Sequence, residues 1–125
     1  MSDPVAASIA TLVSWLTGVH RDLKKTERDA LAALYEDKDE AAYRRLMRER
    51  AERLADLDGE GKGLLKGVPE PLYTDVSRAL SRFSQGGQRA LELDSVFYMS
   101  ALLYPDDYQA GQPDNLERLI KSVIS

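Results

Sequence analysis

The 125-residue chain carries 17 Lys+Arg against 21 Asp+Glu, a net charge of -4, with 43% apolar and 30% charged residues. That is enough for one hydrophobic core in one domain and too little bias for a disordered tail. The acidic balance argues against a dedicated nucleic-acid or anionic-membrane binder, and no cysteine with a single histidine excludes disulfides, thiolate metal sites and a cysteine nucleophile.

Asp3 followed by Pro4 marks a helix start, because the aspartate caps free N–H groups and proline fits the first helical turn. Val5, Ile9, Leu12, Leu16, Val19 and Leu23 then recur at three- and four-residue steps, one helical face. Residues 4–20 are free of formal charge, His20 counted as neutral. A bilayer span needs about 20 mostly apolar residues, and Ser8, Thr11, Ser14, Thr17 and Gly18 dilute this stretch. A secretory leader carries lysine or arginine ahead of its apolar run, whereas Met1-Ser2-Asp3-Pro4 is acidic. The expectation is a buried helix of a cytoplasmic protein.

Thr26 with Asp29 predicts a second helix cap. Neither glycine nor proline occurs between Gly18 and Gly59, but the apolar phase breaks within that stretch. Leu31, Leu34 and Tyr35 point one way, while Tyr43, Met47, Leu54 and Leu57 point about 110° away. A turn at Glu36-Asp37-Lys38-Asp39, with Asp37 or Asp39 as cap, divides helices at 27–36 and 40–57. Gly59, Gly61, Gly63 and Gly67 then read as a flexible, Gly-rich joint that closes with Pro69 and Pro71.

Beyond the joint, Leu72, Val76, Leu80 and Phe83 mark a helix ended by Gly86-Gly87. The next helix reaches Tyr104 and stops at Pro105; its second half, from Val96, is apolar on nearly every side, as a buried helix is. Asp114 and Glu117 cap the last helix, with Leu116, Leu119, Ile120 and Val123 as its stripe. Strand patterns and internal repeats are missing. The prediction is an all-α, single-domain bundle of five or six helices over 1–125. Its N-terminal helices occupy 4–57, the Gly-rich joint 58–69 and the C-terminal helices 70–125.

Each chemical motif has a plainer explanation beside it. His20-Arg21-Asp22-Leu23-Lys24 spells the start of a kinase catalytic loop, but Glu27 stands where asparagine would hold magnesium. Nor does His20 fit a phosphorelay site, since Leu23 and Lys24 fall one residue late and no glycine follows. An ordinary amphipathic histidine at a helix end is the simpler reading. Asp56-Leu57-Asp58-Gly59-Glu60-Gly61 begins like a calcium loop, yet the closing glutamate position is Gly67. Gly61-Lys62-Gly63 lacks the Ser or Thr and the preceding strand of a phosphate loop. Asp94 is expected to pair with an arginine such as Arg78 or Arg82.

Two groups remain as candidate partner-binding residues. Tyr104, Asp106, Asp107 and Tyr108 combine rigid aromatic area with a negative handle. Arg44 and Arg48, one turn apart, offer positive charge on an otherwise neutral helix. No catalytic, cofactor or metal residues are expected. The leading function is a non-catalytic interaction module: an adaptor, regulator or assembly subunit. A small-ligand-binding bundle with a pocket lined by Trp15, Phe97 and Tyr98 is the alternative, and a small carboxylate-dependent enzyme the third. The expected partner is a protein or a second copy. A homodimer would use the terminal-helix stripe together with Tyr43, Met47 and Leu54.

Overall fold

The computed structural model describes residues 3–125, which form five α-helices and no strand: α1 (Pro4–Tyr35), α2 (Glu40–Gly61), α3 (Leu72–Leu93), α4 (Val96–Ala101) and α5 (Asn115–Ile124). A 3-10 turn, Lys62–Leu65, extends α2. Among the described residues, no helix is long and apolar enough to cross a membrane.

Local chemistry sets most boundaries. Asp3 accepts a hydrogen bond from the Val5 N–H and Asp39 accepts one from that of Ala42, so each aspartate caps a helix. Asp114 and Glu117 form a reciprocal capping box at α5. Three expected boundaries change. Helix α1 runs through Thr26, whose hydroxyl donates back to the Asp22 carbonyl instead of capping a new helix. The Gly-rich stretch is helix and 3-10 turn rather than a flexible linker, and it buries Gly61, Leu65 and Val68. Helix α3 passes through Gly86-Gly87. The break falls instead at Asp94, left-handed with φ 47°, followed by Ser95 as the cap of α4.

Gly87 explains its own exception. A Cβ there would lie 2.6 Å from the Ala55 nitrogen and 2.7 Å from the Ala51 oxygen. Its absence lets the α3 backbone close directly on α2. Ser84, one turn earlier, donates to the Leu54 carbonyl at 3.1 Å and accepts from the Asp58 N–H at 2.9 Å.

The main core joins Leu12, Leu16, Val19 and Leu23 of α1 to Leu54 and Leu57 of α2, Val76 and Leu80 of α3, and the inner stripe of α5. A smaller cluster gathers Ala30, Met47, Ala51, Ala90 and Met99. The stripes expected to form a homodimer therefore lie inside the monomer. Leu116, Leu119, Val123, Met47 and Leu54 are buried, while Tyr43 and Ile120 are half-buried. Helix α4 is not enclosed, because Phe97 and Tyr98 project from it into solvent.

Candidate functional site

Two polar regions stand out, and Leu102 belongs to both. The first is a seam between α1 and the segment after α4. His20, Lys24 and Glu27 recur along one side of α1 at helical spacing. Lys24 donates to the Tyr104 hydroxyl at 2.8 Å, and that hydroxyl donates onward to Glu27 at 2.7 Å. Beneath them Arg50 is 2% exposed, donates to the carbonyls of Met99 and Leu102 at 2.8 Å each, and lies 5.8 Å from the Tyr104 ring centroid. A guanidinium on these carbonyls satisfies the C-terminal end of α4.

Environment tunes the ionisation of these groups. Burial, reinforced by the hydrogen bond to Glu27, pushes the Tyr104 phenol up to about 12. Burial alone pulls Lys24 down, but Tyr104, Glu27 and Asp114 more than offset it and leave the ammonium pKa raised. Burial pulls Arg50 below its usual value against the attraction of Glu27. Tyr104 thus remains a neutral hydrogen-bond donor through the physiological range.

At the far end of the seam, His20 Nε2 lies 3.1 Å from Asp114 Oδ2 and 3.6 Å from Glu117 Oε1. The three ligand-type atoms fall within 4.8 Å of one another. The carboxylates are already engaged: Asp114 Oδ1 accepts from the Glu117 N–H, and Glu117 Oε1 accepts from the Asp114 N–H. A dication there would face the positive end of α5 and the field of Lys24. This chemistry suits a clasp holding α5 on α1 better than a metal centre.

The second region is a groove of about 630 Å³ between α3, α5 and the turn after α4. Leu54, Phe83, Leu102 and Leu119 supply apolar lining; Arg78, Arg82 and Arg118 bring positive charge, and Asp75 is the single carboxylate. Arg78 and Arg82 lie one turn apart on α3, and Arg118 is on the first part of α5. All three are exposed, and none makes an ion pair or a side-chain hydrogen bond among the described residues. Gly86 continues the same α3 face, and a Cβ there would press on Leu102 at 3.3 Å. Two like charges at this helical spacing cost roughly 0.2–0.5 kcal/mol. Asp75, three residues before Arg78 on the same helix, is the one lining carboxylate that can offset part of that cost, and it forms no ion pair with either arginine.

The candidate residues from the sequence are distributed differently than expected. Tyr104 is a seam residue, and Tyr108 packs on it with ring centroids 4.7 Å apart. Asp106 and Asp107 are exposed beside them in sequence. Arg44 is exposed, whereas Arg48 pairs with Asp94 at 3.1 Å and with Glu52 at 3.5 Å. Asp94 therefore does pair with an arginine, but with Arg48 rather than Arg78 or Arg82. His20 lies within α1, not at a helix end. The expected Trp15, Phe97 and Tyr98 pocket does not form: Trp15 packs against Gly61 while Phe97 and Tyr98 face solvent. Sequence reading passed over Arg118 and noted Arg78 and Arg82 only as partners for Asp94. Their one-turn spacing was visible, but the opposing helix was not. Comparison with protein-family models, curated proteins and solved structures finds no match for this chain.

Proposed function

We propose that the protein is a non-catalytic helical binding module whose arginine groove takes an acidic, apolar-backed segment of a protein partner. The supporting observation is three guanidiniums without partners around an apolar floor, in a chain whose net charge is -4. Arginine over desolvated apolar surface is a common anchor chemistry of protein interfaces. The carboxylates of the seam are engaged by Tyr104, His20 and backbone N–H groups, which favours binding over acid–base catalysis. The cytoplasm is the compartment that goes with this reading.

A second reading is a small amphipathic anion, since the groove volume of about 630 Å³ lies in the range of small-molecule sites. Such sites enclose most of their ligand. The exposed arginine rim suits an open groove and therefore a polypeptide. Fluorescence anisotropy with a labelled amphipathic peptide of Leu, Ala and Glu tests the choice, with dodecanoate as the small-anion probe. Saturable peptide binding that is lost in Arg78→Glu/Arg82→Glu is the expected result. Binding of dodecanoate without the peptide would favour the second reading, and binding of neither would overturn both.

A further inference from the structure

We infer that the segment occupying the arginine groove comes from a second copy of this chain, which presents the acidic, aromatic surface around α4. The inference rests on the groove being a binding site, and it adds the identity of the occupant.

Charge complementarity supports it first. Residues 90–117 contain Glu92, Asp94, Asp106, Asp107, Asp114 and Glu117, and not one Lys, Arg or His. Three of these acids are committed within the fold: Asp94 to Arg48, and Asp114 and Glu117 to the His20 clasp. Glu92, Asp106 and Asp107 are exposed and make no ion pair among the described residues. Each copy therefore carries three unpaired carboxylates in one segment and three unpaired guanidiniums around one groove.

Apolar surface supports it next. Phe97 is 73% exposed, Tyr98 54% and Leu93 52%, and the two rings meet edge to face at 5.7 Å. These projecting side chains match the half-buried apolar surface of Phe83 and Leu102 in the groove. Leu102 and Leu103 directly follow α4 and also line the groove, so donor and acceptor surfaces adjoin. Adjoining, complementary patches are what a closed two-fold contact uses, each copy giving its segment and receiving its partner's. Two aromatics and a leucine per copy place the contact among small interfaces, under about 1,200 Å². Association is accordingly expected at about 10–100 μM rather than at nanomolar concentration.

Sedimentation velocity of the full chain, over concentrations bracketing about 100 μM, tests the inference. The wild type should move from a 13.9 kDa species towards twice that mass. Phe97→Ser, at a position that the core does not use, should weaken association at least about tenfold. Arg78→Glu/Arg82→Glu should remain monomeric, and so should Glu92→Arg/Asp106→Arg/Asp107→Arg. An equimolar mixture of those two variants should associate again, because the mixed pair restores opposite charges at both contacts. A wild type that stays at 13.9 kDa throughout overturns the inference, as does a groove variant that dimerises normally or a mixture of folded variants that stays monomeric. Peptide binding by a strictly monomeric wild type would leave the groove reading intact while removing the second copy. Failure of the peptide to bind at a concentration where the wild type is monomeric would remove both.

Discussion

In the seam, each cationic side chain has an acceptor: Arg50 reaches two carbonyls, and Lys24 reaches Tyr104 beside Glu27. In the groove, Arg78, Arg82 and Arg118 have none among the described residues. The two regions touch at Leu102, whose carbonyl accepts from Arg50 and whose side chain lines the groove. Charge buried in the seam thus fixes the turn that becomes one wall of the groove. Paired charge here builds the frame, and on the proposed reading the unpaired charge serves recognition.

The largest test of that division is Arg50→Ala. It removes a buried cation and leaves two carbonyls unpaired, while Glu27 keeps the Tyr104 hydroxyl and Lys24 beside it. A loss of about 2–4 kcal/mol of stability, from the two unpaired carbonyls, is expected by urea denaturation. Even where the variant stays folded, peptide affinity should fall, because the Leu102 wall loses its anchor. Unchanged stability would show that the seam carries no such load.

Asp114→Ala comes next. It deletes the N-cap of α5 together with the acceptor for His20, so a loss of about 1–2 kcal/mol is expected. Helix α5 should then fray first, with faster amide hydrogen exchange across 115–124 than in α2.

Alkali probes the seam without altering its shape. Tyr104 holds its proton up to about 12 in the folded chain against an ordinary 10.0. The unfolded chain therefore loses that proton first, and stability must fall as pH rises from about 10 to about 12. Below about 10 the contribution is fully present. Tyr104→Phe should flatten this part of the stability–pH curve, as measured by urea denaturation at stepped pH. An identical slope in the variant would assign the alkaline loss to other groups.

The smallest stability change, and the sharpest functional one, belongs to Arg78→Glu. It places a carboxylate one turn before Arg82 and relieves that like-charge pair, while setting the new carboxylate three residues after Asp75, so the two effects nearly cancel. Stability should stay within about 0.5 kcal/mol of the wild type, while peptide binding drops. A site that keeps its stability as it loses binding is the signature of charge kept for a partner. If the substitution destabilised the fold instead, the groove would belong to the frame.

Much of the fold was legible because its signals are local. Asp3, Asp39 and Asp114 each cap a helix within three residues of their own position. The phase change between Tyr35 and Tyr43 located the α1–α2 turn correctly. Less of the candidate site was legible. Tyr104 stood out as an aromatic beside two aspartates, yet its partners Lys24 and Glu27 lie 80 and 77 residues away. Gly86-Gly87 read as a stop by local propensity, whereas the approach of Ala51 and Ala55 makes glycine the residue that keeps α3 packed.

By itself, the sequence determined that the chain is all-α, where most helices begin, and which faces are apolar. Caps and three-to-four-residue periodicity act within a turn or two of the chain, so composition and spacing express them directly. Only the tertiary structure decided which charges found partners. Arg50 and Arg82 are alike as letters in two amphipathic helices. One meets the carbonyls at the end of α4 in a dry interior, and the other meets solvent over a groove. That difference comes from long-range packing, because desolvation makes an unpaired buried charge too costly to keep while leaving an exposed one free to bind.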